Sequence, residues 1–372
     1  MLPGCSLAEP CCLIEKGLFS IIHFPPLARR PIIADEGQGT DMPLNTRLTE
    51  LLGIRHPILS APMAAIAGAR LVEAVGEAGG FGILGGGYGD KAWLERETAK
   101  LGKCKVPFGI GFITWSMAKQ PELLDVALAA KPRAVMLSFG DPKPFAPRIK
   151  AAGALLICQV QGEEMAKDAL EAGADILIAQ GTEAGGHGAS RTTLDIVPAI
   201  VDFAAGHVPV VAAGGIADGR GLAAMMMFGA AGVLLGTRFY ASVECDVEEE
   251  AKQRICAATG GSTTRGVVFD LSRGIFWPAP FTLRSLTNDH IRRWTGHEVD
   301  LIQNMSEVSA DYAAAKAARN FDVAGVFAGE AAGLIHDIPP AAEIIHRITT
   351  EAEQILQGQR NSAVMSRAAA AR

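Results

Sequence analysis

Eight short apolar runs, each followed by a helical pattern, constrain this chain more than any other feature. The runs are Pro57–Ser60, Phe81–Leu84, Phe108–Ile113, Ala134–Ser138, Leu155–Val160, Ile176–Ala179, Val208–Ala212 and Gly232–Gly236. Each has the length of a buried parallel strand, and most are rich in Val, Ile or Leu. Between them, apolar residues recur at helical spacing: Leu71, Ala74, Val75 and Ala78; Met165, Ala169 and Ala172; Ile196, Val197, Ile200 and Val201. Glycines at Ala172-Gly173 and Phe228-Gly229 offer helix C-caps before the next strand. Strand–helix alternation implies parallel strands with helical crossovers. Eight such units favour an α/β fold closed as a (β/α)8 TIM barrel, with an open doubly wound sheet as the alternative.

The rhythm stops after Phe239, and this sets the expected domain organisation. Residues 42–245 form the barrel. Residues 246–358 form a C-terminal helical cap segment beside it, in which 261–283 reads as loop around Phe276-Trp277-Pro278. Residues 359–372 read as a frayed tail. Residues 1–41 read as a poorly ordered extension upstream of Met42, with a targeting segment as the alternative. Their apolar run, Leu18–Phe24, is far shorter than the roughly 20 apolar residues a membrane span needs. With 49% hydrophobic residues, the 372-residue chain can build a large core.

Charge and cysteine content exclude several classes. A net charge of −6 with no long basic cluster argues against a nucleic-acid binder. The seven cysteines are odd in number and hold no C-x-x-C pair, so neither a disulfide framework nor a zinc site is expected. No metal is expected elsewhere. Cysteine usage reads as a reducing, cytoplasmic setting without a membrane partner, and Cys158, in a strand run, reads as a buried free thiol.

In a barrel the chemistry lies in the loops after the strands, and the unusual residues fall there. The first strand ends Ser60-Ala61-Pro62-Met63-Ala64; Met63 is either ordinary packing or a thioether placed to touch a flat ring. The second runs into Gly85-Gly86-Gly87-Tyr88-Gly89, where backbone can approach something closely. The sixth ends Gln180-Gly181-Thr182-Glu183-Ala184-Gly185-Gly186-His187-Gly188. A histidine among three glycines at a strand end favours a functional imidazole over a structural donor, and imidazole accepts protons near neutral pH. The seventh and eighth strands end in Gly214-Gly215 and Leu235-Gly236-Thr237, two turns of the kind that cradle a phosphate in barrels. Gly219-Arg220-Gly221-Leu222-Ala223-Ala224 matches G-x-G-x-x-A, but no acid ends the next strand, so a dinucleotide site is not expected.

Ala61-Pro62-Met63-Ala64, the Gly181–Gly188 segment, Ala213-Gly214-Gly215-Ile216-Ala217-Asp218 and Gly236-Thr237-Arg238-Phe239 resemble the nitronate monooxygenase family, formerly called 2-nitropropane dioxygenases. Flavin enoyl-acyl-carrier-protein reductases and an NADH:quinone reductase share that framework. The resemblance implies a non-covalent FMN at the barrel mouth. It places the phosphate on Gly214, Gly215, Gly236 and Thr237, with Leu235 adjoining. It places Ala61, Pro62, Met63, Gly111, Gln159, Gln180, Gly185 and Gly186 around the flavin, and makes His187 the catalytic base. The chain departs from family patterns in carrying Gln159 where the quinone-reductase type has lysine, Gly111 where many members have asparagine, and Ala65 where glycine is common. The implied reaction is oxidation of alkyl nitronates, such as propionate 3-nitronate, by O2 to a carbonyl compound and nitrite. The alternatives are an FMN-dependent NAD(P)H reductase of quinones or enoyl thioesters, and a flavin-free barrel binding a phosphorylated metabolite. The expected partners are a small-molecule substrate and O2, and a homo-oligomer is compatible with the reading.

Overall fold

A computed structural model of the protein describes residues 44–358. The expectations for 1–41 and 359–372 lie outside the described residues. The barrel strands are β1 (Ile58–Ser60), β2 (Gly82–Gly85), β3 (Phe108–Ile113), β4 (Ala134–Ser138), β5 (Leu155–Val160) and β6 (Ile176–Gln180). A short strand, β7 (Gly186–Gly188), comes next, and the barrel resumes with β8 (Val210–Ala213) and β9 (Gly232–Leu235). The eight barrel strands pair in parallel in the order β1-β9-β8-β6-β5-β4-β3-β2, and a bridge from Leu59 to Phe81 joins the two ends. The chain is therefore a TIM barrel. Gly173 and Gly229 follow their helices with φ of +82° and +88°, a conformation that costs glycine little.

Two cores follow from the period of two along each strand. Leu59, Ile83, Met136, Ile157, Ile178, Val211 and Leu234 point inward and fill the barrel as one cluster. Their neighbours Ile58, Leu84, Val135, Leu156, Cys158, Leu177, Ala212, Val233 and Leu235 point outward under the helices. Cys158 is a buried free thiol, as its strand position implies, and burial pushes its pKa up to about 12.

The eighth helix of the ring is not next in sequence after β9. The helix Ala341–Leu356 packs between the helices Gly219–Met227 and Ala69–Glu77, where a barrel's last helix belongs. Residues 237–340 are thus inserted between the eighth strand and its helix. Segment 246–358 is not wholly helical. It contains β10 (Thr263–Gly266) and β11 (Thr282–Leu286), in a stretch the sequence reads largely as loop. The three short strands form an antiparallel sheet in the order β10-β11-β7. Its partners lie far apart in sequence, so local pattern does not reveal it.

The G-x-G-x-x-A motif opens the helix Gly219–Met227. Its N-terminal N–H groups are already taken: Asp218 accepts from Arg220 and Gly221, and Glu351 of the last helix accepts from Gly219. A Cβ on Gly219 would lie 2.5 Å from Glu351 Cβ and 2.6 Å from Ile348 O. Gly219→Ala should therefore destabilise the protein by about 1–3 kcal/mol, since overpacking outweighs alanine's better helix propensity. A lowered urea midpoint at unchanged m-value is the expected result, and a raised midpoint would show that the helices part freely.

Candidate active site at the barrel mouth

One layer above the bulky interior, the inward positions become small. Continuing the alternation to the strand ends gives Ala61, Gly85, Gly111, Ser138, Gln159, Gln180, Ala213 and Gly236. Six of these eight are glycine, alanine or serine. The loop after β1 leans into part of the space: a Cβ on Gly85 would meet Met63 O at 2.1 Å, and one on Gly111 would meet Pro62 Cβ at 2.4 Å. Met63 packs against both the outer core and the cluster of the insertion.

The amide side chains build a relay on the other side. Gln161, buried two residues beyond Gln159, donates from Nε2 to Gln180 Oε1 at 2.8 Å. Gln180 in turn donates to the backbone carbonyl of His187 at 3.0 Å. Gln161 Oε1 is buried without a partner. Sequence reasoning passed over Gln161, although the inward run Ile157, Gln159, Gln161 contains it.

His187 lies not in a free loop but in β7, opposite Leu283 of β11. Its Nε2 sits 3.0 Å from both carboxylate oxygens of Asp270, and the two side chains are 8% and 5% exposed. Asp270 comes from the helix Val268–Ser272 of the insertion and also accepts from Arg273 at 2.9 Å. Trp277 stacks on the imidazole, with centroids 3.4 Å apart and planes 10° apart. Burial lowers the His187 pKa, while Asp270 pulls it upward.

An aromatic wall surrounds this pair. Phe139 meets His187, Trp277 and Phe281 edge-on, and Tyr88 and Trp115 meet Trp277. Tyr88 Oη receives hydrogen bonds from Trp277 Nε1 and Arg273. Phe139 holds φ at +64°, a strained conformation for an aromatic residue and the sort of strain that gathers at functional sites. In a chain with 6% aromatic residues this concentration is local. Asp270 and Trp277 escaped the sequence reading because both lie in the insertion and carry no local motif.

The two glycine corners share this end of the barrel. Gly214 and Gly215 have φ of +107° and +71°. The carbonyl of Gly214 accepts from Thr193, whose hydroxyl and N–H also bind Glu183. Thr237 Oγ1 accepts from Gly329 of the insertion at 2.9 Å. Glu183 O in turn accepts from Glu330 N, which ties that corner to the His187 loop. Arg265 clamps the same loop by donating to the carbonyls of Thr182 and Ala184, and Arg284 donates to Thr182. Burial, with the neighbouring Arg284, pushes the Arg265 pKa down to about 10. Of the expected site residues, the structure brings all but one to the mouth. The side chain of Leu235 faces the outer core, and its carbonyl is taken by Ala61 N–H.

The sequence profile of the family described as Nitronate monooxygenase matches residues 45–126 and 113–351. The chain belongs to the nitronate monooxygenase family. It is 34% identical over 343 residues to nitronate monooxygenase npaC of Metarhizium robertsii, covering 80% of this chain and 91% of that protein. It is 31% identical over 352 residues to (3aS,4S,5R,7aS)-5-hydroxy-7a-methyl-1-oxo-octahydro-1H-indene-4-carboxyl-CoA dehydrogenase of Mycobacterium tuberculosis, covering 85% of this chain and 98% of that protein. Among solved structures, FabK of Thermotoga maritima superposes with a TM-score of 0.74 at 31% identity, over 85% of this chain and 98% of that one. The protein is thus an oxidoreductase of a flavin-dependent family.

The residues at the mouth fit a flavin. The inward layer is mostly glycine, alanine and serine, and the buried, unpartnered Gln161 Oε1 can accept from a donor of the kind a flavin's pyrimidine end carries. No side chain lies within 4 Å of where a Cβ on Gly186 would stand. Gly329 is the critical close approach: a Cβ there would lie 2.4 Å from Glu183 O and 2.6 Å from Gly185 N, both backbone atoms. Gly329→Ala should displace the 183–186 loop, lower the melting temperature and weaken flavin retention through gel filtration. Unchanged retention of the visible flavin absorbance would show that the loop does not shape the cofactor site.

Proposed function

We propose that this protein binds FMN and oxidises alkyl nitronates, propionate 3-nitronate among them, with O2 to a carbonyl compound and nitrite. The observation that carries the reading is the buried His187 beside an amide-lined mouth and two glycine corners. A bound flavin would supply the electron acceptor for the nitronate and the centre at which O2 is reduced. Gly214, Gly215, Gly236 and Thr237 would hold its phosphate through backbone N–H groups and a hydroxyl. Gln159, Gln161, Gln180, Gly111, Gly185, Gly186 and the Ala61-Pro62-Met63 turn would border the ring.

The work of the chain's own residues is proton handling and exclusion of water. Burial holds the His187 pKa below its ordinary value, so the ring is neutral at pH 7 and free to accept a proton. It would take the proton from the carbon next to the nitro group of a neutral nitroalkane, leaving the nitronate anion in place. The aromatic wall keeps that carbon out of water.

Two results follow for the holoenzyme. His187→Asn should retain flavin and lose about 10²- to 10⁴-fold in kcat/KM for neutral nitroalkanes, the usual scale of general base catalysis, while preformed nitronates lose far less. Equal rates for variant and parent on nitroethane would remove His187 from the base role. Because the base must be unprotonated, kcat/KM for nitroethane should fall as pH drops through a pKa below the ordinary histidine value. Nitronate oxidation should not show that limb. Absence of oxygen uptake with both substrate types would overturn the reaction.

A second reading rests on the aromatic wall and on the indene-4-carboxyl-CoA dehydrogenase relative. The same site would then pass electrons between NAD(P)H and an apolar acyl thioester, with Tyr88, Trp115, Phe139, Trp277 and Phe281 against the acyl group. Rapid anaerobic bleaching of the flavin by NADH, with negligible nitronate turnover, would favour it.

A further inference from the structure

We infer that Asp270 is a positioning residue, which holds His187 with its proton on Nε2 and leaves Nδ1 as the atom that receives the substrate's proton. The inference deepens the base role given to His187 above and rests on it. It starts from the hydrogen-bond geometry. Both oxygens of Asp270 lie 3.0 Å from Nε2, so the carboxylate faces that nitrogen symmetrically. An ionised carboxylate only accepts hydrogen bonds. The nitrogen that faces it must therefore carry hydrogen, and in a neutral imidazole the other nitrogen is then the lone-pair atom. Among the described residues the ring is hydrogen-bonded through Nε2, and the side chain keeps 8% of its surface exposed.

The surroundings hold Asp270 in place. Arg273 donates to Asp270 Oδ1 at 2.9 Å and is itself anchored on Tyr88 Oη and over the rings of Tyr88 and Phe327. The ring of His187 cannot rotate freely to offer Nε2 elsewhere, because Trp277 lies flat against it at 3.4 Å. Phe139 adds an edge contact with the imidazole. The charged groups that act on His187 are Asp270, Arg273 and Arg265; the first stabilises the imidazolium and the two arginines oppose it. Once His187 accepts a proton, the ring carries hydrogen on both nitrogens. Its positive charge then faces the Asp270 carboxylate on one edge and an indole on one face, both favourable to a cation.

Asp270→Asn removes the charge while keeping the shape. The amide can present its NH2 to Nε2, which would drive the hydrogen to Nδ1 and blunt the base. The holoenzyme variant should keep its flavin and lose about 10²-fold or more in kcat/KM for nitroethane. Its pH limb should move to lower pH, because the anion that favoured the imidazolium is gone. Turnover of preformed nitronate should fall much less than that of nitroethane, and Asp270→Glu should restore part of the nitroethane rate. A residue of merely structural importance would depress both substrates together and leave the limb in place.

A direct readout needs no variant to fold. With 15N-histidine holoenzyme above the His187 pKa, the wild-type imidazole should show hydrogen on Nε2 and a bare Nδ1 nitrogen. Hydrogen on Nδ1 would overturn the inference even if His187→Asn proves His187 essential. Conversely, an Nε2–H tautomer with no rate loss in His187→Asn would sink the base role and leave the positioning by Asp270 intact.

Discussion

The antiparallel pairing of β7 with β11 is the contact on which the site depends. It sets Leu283 opposite His187 and Arg284 opposite Gly186, and so fastens the insertion across the loop that leaves the sixth barrel strand. Together with the hydrogen bonds of Arg265, Arg284 and Glu330 to the 182–184 turn, it brings Asp270 and Trp277 to the imidazole. The pairing also explains the glycines. Gly185 and Gly329 approach each other so closely that a Cβ on either would collide with backbone. Glycine's missing side chain is what lets the insertion seat itself there.

The barrel supplies a floor and the insertion supplies the walls. Interior side chains are bulky at Leu59, Ile83, Met136, Val211 and Leu234, then shrink to Ala61, Gly85, Ser138, Ala213 and Gly236 at the next layer, where Gln159 and Gln180 stay large. A close-packed interior leaves no space for a flat ligand, so the change in size marks where close packing ends. Above that floor the polar groups are few and connected: Gln161 to Gln180, Gln180 to the His187 carbonyl, His187 to Asp270, Asp270 to Arg273. Buried polar groups in such a chain fix one another's orientation, which places the imidazole ring to within a single rotamer.

Burial and charge act against each other on His187. Removal from water disfavours the imidazolium, and Asp270 favours it. The net direction is downward, because burial outweighs the carboxylate. Arg265 and Arg284 act on the backbone instead, donating to the carbonyls of the 182–184 turn. They hold the loop by its carbonyls while the barrel holds it by β6.

Local pattern along the chain favoured the barrel but left an open doubly wound sheet as the alternative, because strand alternation and helix stripes can be buried in either; the bridge from Leu59 to Phe81 decides for closure. The same local reading marked His187 and the two glycine corners, since glycine turns and an isolated histidine at strand ends are legible without partners; Gln180 was singled out only by the family resemblance. The remaining features came from long-range folding. β10 and β11 were hidden in a glycine- and threonine-rich stretch whose pairing partner, β7, follows the sixth barrel strand. The helix Ala341–Leu356 looked like part of a cap until packing put it in the ring. Gln161, Asp270 and Trp277 carry no motif; they matter because the chain folds back and sets them against groups distant in sequence, and a contact of that kind leaves no periodicity to read.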